Sequence, residues 1–373
     1  MVEARFKISP PQPKAAKPER IFSLDLLRGI DVCWLCLLHP LLEAADKTWA
    51  LPRWMHAQLV HEWGSFGLFD FAQPLFIFVC GAAVPFAIPK RLSPEGNSTA
   101  RFWRHVLGRV ALLWACGMLI RGVLLFDRTK FTPYSDTLQT IAAGYLFACV
   151  AQLLHNRALR IALPFALIGL YAALCINFGD WTRLGNFPRI VDERAFGALG
   201  FKAKDFTYCL TTIAWAGIAM LGSLSAELLK GGLPRKAKAA ILLVFSACSL
   251  VLGNVLATTI PPIRHIYSPS FIAIAMGYSA LSLAACYVVS DVWRKRRGTW
   301  LFILFGQTAL CAWMLHTNPL YHGLAAVSRR LVAGMPVLLG TNSLQGFLQT
   351  LVTCGLLVWI LVLWRRLKGM APS

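Results

Sequence analysis

The feature that most constrains this chain is a succession of apolar stretches long enough to cross a lipid bilayer as helices. A spanning helix needs about 20 predominantly apolar residues, because each residue adds about 1.5 Å to its length. Hydrophobic residues make up 57% of the 373 residues and charged residues only 14%, which excludes an ordinary soluble domain. The sequence therefore predicts an all-α protein, a polytopic membrane bundle of about ten transmembrane helices.

Short polar loops separate most of the apolar stretches. Three longer segments, residues 43–67, 179–205 and 318–345, interrupt this pattern, and the last contains prolines and paired arginines that do not suit a span. We expect these three segments to form a cap over the outer end of the bundle. The predicted spans lie near residues 22–42, 68–89, 104–125, 136–155, 159–178, 206–228, 239–259, 268–290, 299–317 and 346–364.

The distribution of basic residues predicts the orientation of the bundle. The chain carries 37 lysines and arginines, and most of them fall in alternate loops. Cytoplasmic loops are enriched in such residues, so both termini are expected in the cytoplasm. Residues 1–20 are predicted to be a basic cytoplasmic tail, 21–366 a single transmembrane domain and 367–373 a second tail. Because topology accounts for the charge, no nucleic-acid partner is expected.

Three charged residues, Asp25, Arg28 and Asp31, stand in the first apolar stretch, and His39 follows near its far end. Arg28 is an i,i+3 neighbour of both aspartates, which predicts that these charges pair on a helix. A charge near the bilayer centre costs roughly 2.5–3.5 kcal/mol, so such residues usually face a bundle interior or a wet cavity. Arg28 and His39 lie within about 20° of each other on a helix, which predicts a polar track through the bundle. In the alternative interpretation, Ser23 caps the helix, Asp25 complements its dipole and Arg28 extends to the surface.

A second polar group precedes and enters the second span, where His61, Glu62, Trp63 and Asp70 follow one another closely. A histidine held by a carboxylate can accept a proton near neutral pH, or carry an acyl group transiently. His61 is therefore the predicted base. Asp70 has the alternative role of complementing a helix N-terminus, and Trp63 that of an interfacial belt residue.

Several long motifs resemble one family of membrane enzymes. They begin with RIFSLDLLRGIDV (20–32) and HEWGSFGLFDFAQPLFIFVCGAAVPFAI (61–88) and continue through TLQTIAAGYLFA (137–148) to LFILFGQTALCAWMLH (301–316). Together they are similar to the transmembrane N-acetyltransferases typified by lysosomal heparan-alpha-glucosaminide N-acetyltransferase. The bacterial DUF5009 or NagX-type members are the nearer match. The resemblance covers nearly the whole chain after residue 20.

The resemblance implies a function. Acetyl-CoA would enter from the cytoplasm, and its acetyl group would pass through the bundle to an amino sugar on the periplasmic side. It also implies a bacterial inner-membrane protein and a homodimer. The catalytic histidine of the family falls on His61, and the aspartate that follows it falls on Asp70. His39 stands where the lysosomal enzyme has a catalytic asparagine, so it is the third predicted catalytic residue.

The chain departs from the family pattern at three further places. Only Glu62 separates His61 from Trp63, where the family usually has two residues. The family motif LQRIA reads LQTIA here, so Thr140 replaces an arginine that would contact a phosphate. The motif FGQTAL has Thr308 where family members often have asparagine.

Ligand-binding residues are predicted at both ends of the bundle. CoA carries several phosphate charges that call for convergent arginines or lysines, and the candidates are Arg28 with its neighbour Asp25, Arg101, Arg104, Arg109, Arg235 and Lys238. The acceptor sugar is assigned to Trp63, Glu62, Asn254, Arg264, His265 and Ser268. Helix capping or topology is the alternative role for most of them. No metal is expected, and an amino-sugar permease without acyl transfer is the alternative function.

Overall fold

The structure is a computed structural model that describes residues 21–87, 99–121, 134, 136–197, 207–317, 320–333 and 342–369. These residues form helices and connecting loops, with no strand among them, which confirms the predicted all-α class. The predicted tail 1–20 and residues 370–373 of the second tail lie outside the described part of the chain.

The first half of the chain forms nine helices within the described residues. In chain order they are α1 (Phe22–Cys33), α2 (His39–Trp49), α3 (Arg53–Leu59), α4 (Ala72–Ala82), α5 (Val84–Ala87), α6 (Thr99–Arg121), α7 (Thr137–Gln152), α8 (Arg157–Phe178) and α9 (Phe187–Phe196). The second half continues with α10 (Thr212–Lys230), α11 (Arg235–Ala257), α12 (Pro269–Tyr287), α13 (Trp300–Gln307), α14 (Ala309–His316), α15 (Leu320–Val332) and α16 (Asn342–Leu367).

Five segments of the described chain are long and apolar enough to cross a membrane. They are Arg157–Phe178, Cys209–Lys230, Arg235–Ala257, Pro269–Val292 and Leu344–Leu367, and each coincides with a predicted span. The other predicted spans are shorter, interrupted or more polar: α4 and α5 together cover Ala72–Ala87, and the span near 299–317 is broken between α13 and α14.

Helix α1 continues into α2 through a π-helical turn, Trp34–Leu38. The backbone N–H of His39 bonds to the carbonyl of Trp34, five residues earlier. Pro40 explains this wider turn, because a proline has no N–H to donate and its ring crowds the carbonyl four residues before it. The turn determines the direction of His39, which begins α2.

The N-terminus of α1 is held by another helix rather than by Ser23. The carboxylate of Asp291, in the π turn Val288–Val292 after α12, accepts the backbone N–H groups of Ser23 at 2.9 Å and Phe22 at 3.3 Å. The hydroxyl of Ser23 is buried and makes no hydrogen bond. The prediction that Ser23 caps α1 is therefore wrong, since the anion that complements the helix dipole comes from Asp291.

Small residues let the central helices approach closely. A Cβ added to Gly222 of α10 would lie 1.9 Å from the carbonyl oxygen of Phe78 in α4, and a Cβ on Gly81 would lie 1.9 Å from that of Ala219. The hydroxyl of Ser223 donates to the carbonyl of Gly81 at 2.8 Å. Such contacts stabilise helix pairs in membranes, where the hydrophobic effect does not drive association.

Candidate active site

His61 and Asp70 form a hydrogen-bonded pair where the chain enters α4. The distance from Nδ1 of His61 to Oδ1 of Asp70 is 2.6 Å. Asp70 is 1% exposed, and its Oδ2 accepts the backbone N–H of Gly67 at 2.8 Å. The short turn that precedes α4 thus holds the carboxylate, and the carboxylate holds the imidazole. The ring nitrogen that Asp70 leaves available is Nε2.

Arg264 approaches the same carboxylate from the loop between α11 and α12. Its Nε lies 3.4 Å from Oδ1 of Asp70. Burial lowers the pKa of the Arg264 guanidinium, and the negative charge of Asp70 opposes that effect. The loop is itself fixed, because the hydroxyl of Tyr171 donates to the carbonyl of Ile266 and Ser268 bonds to the loop backbone. Both carboxylate oxygens of Asp70 therefore take part in a hydrogen bond or an ion pair.

His39 brings a second imidazole to His61. The two rings lie nearly parallel, with centroids 6.0 Å apart and an interplanar angle of 5°. The edge of His39 also packs against Phe69, with ring centroids 4.4 Å apart, and its Nε2 lies 3.9 Å from a carboxylate oxygen of Glu43. The structure thus brings the three predicted catalytic residues His61, Asp70 and His39 together, as the sequence predicts, although their roles stay predictions.

His61 and His39 line a partly open cavity of about 240 Å³. Among the described residues, three imidazoles, one guanidinium, an amide, an indole and two hydroxyl groups supply its polar surface, and none of these lining residues carries a carboxylate. The lining residues are Leu35, His39, His61, Phe69, Gln73, Thr137, Arg264, Trp313, His316 and Thr317. Within the described residues, no three histidine, cysteine or acidic side chains have the arrangement of a metal site.

His316 and Trp313 are among the cavity residues that sequence reasoning missed. Both lie on α14, and the indole Nε1 of Trp313 donates to Oδ1 of Asp136, the N-cap of α7, at 3.3 Å. Their only sequence signal is a polar residue at the end of an apolar run, which is common at membrane interfaces. Thr140, the departure from the family motif, is fully buried and accepts a hydrogen bond from Gln73 at 3.3 Å.

Two of the loops that the sequence predicts to be outer pack together. The indole of Trp63 donates to the carbonyl of Trp181 at 2.9 Å and stacks on His265, with ring centroids 5.3 Å apart. The guanidinium of Arg183 lies 5.5 Å from the centre of the same indole. Segments 43–67 and 179–205 therefore contact each other, as the predicted cap requires. The Trp63 ring is already engaged in these contacts between loops. Stacking of a sugar on this ring stays a prediction.

The remaining residues assigned to the acceptor do not line the cavity. Ser268 is fully buried and caps α12, and its hydroxyl also bonds to the backbone of Ile263 and Pro261, which is the capping alternative. The Asn254 amide donates to the carbonyl of Leu250 in its own helix, at 2.8 Å. Glu62 lies on the exposed surface of its loop.

A second and larger cavity, of about 830 Å³, runs along α6. Its lining residues on α6 recur every three or four positions, so they share one face of the helix. From Arg101 to Leu113 this face extends about 18 Å. The lining residues are Arg101, Arg104, His105, Gly108, Arg109, Leu112, Leu113 and Leu310. Three of the arginines predicted to bind CoA are thus brought together in one place.

The two cavities meet the same short helix. Leu310 of α14 lines the larger cavity along α6, which we call the basic cavity. Trp313 and His316 of α14 line the smaller cavity that contains His39 and His61, which we call the histidine cavity. Leu310 and Trp313 are three residues apart, which corresponds to about 4.5 Å along the helix axis. Helix α14 therefore contributes side chains to both cavities.

The charged residues of α1 lie outside both cavity linings. Arg28 forms an ion pair with Asp25, as the sequence predicts. Asp31 does not take part: it is 2% exposed, and neither carboxylate oxygen makes a hydrogen bond. The predicted i,i+3 pairing of Arg28 with Asp31 is absent from the ion pairs of the described residues. Of the polar residues placed on the predicted track along α1, only His39 lines a cavity.

The last two basic candidates are also placed elsewhere. The ammonium of Lys238 donates to the carbonyl of Leu229 at 2.7 Å, so it stabilises the C-terminal turn of α10. Lys238 is only 9% exposed, and neither it nor Arg235 lines the basic cavity. Cations favour helix C-termini, where carbonyl groups lack partners within the helix. A role for these two residues in CoA binding stays a prediction.

Comparison with known proteins identifies the family of the chain. The model of the family described as heparan-alpha-glucosaminide N-acetyltransferase, catalytic, matches residues 20–256. The matched segment includes His61, Asp70 and the arginines of α6, whereas Arg264 and His316 lie beyond it. No curated protein matches the chain. The matched segment spans more than half of the sequence, so the chain belongs to the family of the heparan-alpha-glucosaminide N-acetyltransferase catalytic domain.

Proposed function

We propose that this protein is a membrane-embedded acetyltransferase that moves an acetyl group from cytoplasmic acetyl-CoA to a glucosamine-type amino sugar on the periplasmic side. The family supports N-acetyl transfer. The single observation that carries the proposal is the buried Asp70 carboxylate that orients His61 at the wall of a cavity. A thioester is already activated, so transfer needs a base and exclusion of water more than it needs further activation.

The basic cavity along α6 suits the donor. CoA carries several negative charges, and Arg101, Arg104 and Arg109 offer convergent guanidiniums for its phosphates. The face of α6 continues for about 18 Å toward Leu113, which gives the pantetheine arm a path toward α14. The thioester then reaches the histidine cavity.

His61 acts in one of two ways in this scheme. As a general base, its Nε2 accepts the amine proton while the amine nitrogen attacks the acetyl carbonyl and the C–S bond breaks. As a transient carrier, Nε2 itself attacks the acetyl carbonyl, and the C–S bond breaks to release the CoA thiolate. The amine nitrogen then attacks this acetyl group, the bond from the acetyl group to Nε2 breaks, and the proton that the amine loses neutralises the thiolate to CoA-SH. In both cases Asp70 holds Nδ1 and stabilises positive charge on the ring. Arg264 and the second imidazole, His39, can stabilise the developing oxyanion.

Several finer features belong to the same proposal. The bundle has ten spans with both termini in the cytoplasm, and it lies in a bacterial inner membrane as a homodimer. Residues 21–366 form one transmembrane acyltransferase domain between the tails 1–20 and 367–373. The alternating basic loops support the orientation, and family resemblance supports the membrane and the dimer.

Purified protein in liposomes tests the proposal directly. With acetyl-CoA outside vesicles that contain glucosamine, molecules whose basic loops face outward should release CoA-SH outside and form N-acetylglucosamine inside. Release should require both substrates. Uptake of labelled glucosamine into vesicles without acetyl-CoA would instead indicate the alternative, a permease. CoA-SH release that is independent of the sugar would contradict acetyl transfer to it.

Arg104→Ala is expected to weaken donor binding. A hydrogen bond to a charged group contributes about 1.5–3 kcal/mol, which corresponds to a rise of roughly 10- to 100-fold in KM for acetyl-CoA, since each 1.4 kcal/mol is tenfold. The kcat should change little, because Arg104 lines the basic cavity, whereas His61 lines the histidine cavity. Steady-state kinetics at varied acetyl-CoA concentration measure both values.

Arg157→Ala supplies the matched control. Arg157 begins α8 and does not line the basic cavity, so its removal should leave KM for acetyl-CoA within about twofold of the wild-type value, as expected for a surface position. Equal rises in both variants would mean that the arginines act through net surface charge, and would contradict a donor site along α6.

A further inference from the structure

The described lining of the histidine cavity offers no carboxylate to a positively charged amine, because none of the described residues that line it is acidic. An unpaired charge is costly to bury, whereas a neutral hydroxyl group needs only hydrogen bonds. Gln73, Thr137 and Thr317 supply amide and hydroxyl groups to the cavity wall, and they can form such bonds.

The acidic residues packed around the cavity are already engaged. Asp70 is bonded by His61 and the backbone N–H of Gly67, and it is paired with Arg264. Asp136 caps α7 and accepts the Trp313 indole N–H. Glu43 lies one turn beyond His39, and its side chain is 45% exposed.

The His61–Asp70 pair is also the arrangement that hydroxyl chemistry requires. An amine attacks a thioester readily, whereas a hydroxyl group is a weak nucleophile until a base takes its proton. In serine hydrolases, a buried aspartate at Nδ1 of a histidine leaves Nε2 free to deprotonate a hydroxyl group. The 2.6 Å contact between Nδ1 of His61 and a 1% exposed carboxylate has the same form.

We propose that this site also transfers acetyl groups to sugar hydroxyl groups, so that the protein is an O-acetyltransferase as well as an N-acetyltransferase. This inference rests on the proposed function, because it uses the same donor. The hydroxyl oxygen attacks the acetyl carbonyl carbon, and its proton moves to Nε2 of His61. The C–S bond breaks, the sulfur takes that proton, and the products are an acetyl ester and CoA-SH.

The size of the cavity limits the acceptor. A volume of about 240 Å³ is below the roughly 300–1,000 Å³ of pockets that hold drug-sized ligands. The acceptor inside the cavity is therefore one sugar ring, either a free monosaccharide or the terminal unit of a longer chain. Only a group on that ring can reach the imidazole.

N-acetylglucosamine is the probe that separates the two activities, because it has hydroxyl groups but no free amine. With acetyl-CoA and wild-type protein, we expect CoA-SH release above the rate without acceptor. The product should carry one added acetyl group that mild alkali removes, as mass spectrometry before and after treatment would detect. Release with glucosamine but not with N-acetylglucosamine would overturn this inference alone. No release with either sugar would overturn the proposed function too.

Asp70→Asn distinguishes the chemistry from simple sugar binding. General-base assistance contributes typically 10²–10⁴-fold, so ester formation should fall by at least about 100-fold. Amide formation from glucosamine should fall less, because an amine needs less help from a base. Equal losses would overturn the argument that the pair serves hydroxyl groups.

His56→Ala supplies the control for both assays. Nδ1 of His56 pairs with the carboxylate of Asp46 at 2.7 Å, so it is a second histidine–carboxylate pair, but it does not line the cavity. Its removal should change neither rate by more than about twofold, as expected for a surface position. Loss of ester formation in this variant would assign the hydroxyl chemistry to another part of the surface.

Discussion

His61→Ala is expected to lower acetyl transfer to glucosamine by about 10²–10⁴-fold, the typical contribution of a general acid–base group. If His61 is instead the acetyl carrier, the loss should be complete, because no other group would take the acetyl from CoA. Asp70 orients the imidazole by holding its Nδ1 at 2.6 Å, which leaves Nε2 available for the reaction. Release of CoA-SH under saturating acetyl-CoA and glucosamine measures the effect.

A burst measurement on wild-type protein separates the two roles of His61. Wild-type protein mixed with acetyl-CoA alone should show a burst of CoA-SH, about one per active site, if an acetyl-histidine forms. Absence of the burst would indicate direct transfer. An unchanged turnover in His61→Ala would contradict the site, provided that thermal unfolding and gel filtration show a folded protein.

Gly222→Ala is expected to disrupt the centre of the bundle. The added Cβ would lie 1.9 Å from the carbonyl oxygen of Phe78, which is far inside van der Waals contact. The obstacle is helix backbone, so α10 and α4 would have to separate, and overpacking in a close-packed core typically costs about 1–3 kcal/mol or more. We expect a clear loss of folded protein, measured as a lower midpoint of thermal unfolding in detergent.

Gly169→Ala is the matched control for this prediction. Gly169 lies in α8, and a Cβ placed there would meet nothing within 4 Å. Alanine favours a helix over glycine by about 1 kcal/mol, so the unfolding midpoint should stay the same or rise. If Gly222→Ala were as stable as Gly169→Ala, the close crossing of α4 and α10 would be wrong.

The charged residues of α1 show how much of the structure a local sequence pattern can predict. The spacing of Asp25 and Arg28 predicts an ion pair, and the structure contains it, because neighbours on one helix are determined by helix geometry alone. The same reasoning predicts that Ser23 caps the helix, yet Asp291 holds the N-terminus. Asp291 is 268 residues away in sequence, so no local pattern could have identified it.

The site shows the same division. The sequence identifies His61, Asp70 and His39, because polar groups in or beside an apolar span are costly and usually have a function. It does not identify His316 and Trp313 or show that Arg264 reaches Asp70. Those contacts depend on how α14 packs against α1 and on how the loop after α11 approaches Asp70.

The sequence by itself determined the helical class, the apolar spans and the family, since hydrophobicity, helix period and motifs are properties of the chain read in order. Tertiary structure alone decided that three imidazoles share one cavity, that a basic face of α6 leads to α14, and that Asp70 pairs with both His61 and Arg264. The physical reason is that a cavity is formed by side chains from helices far apart in sequence, and helix packing sets their relative positions.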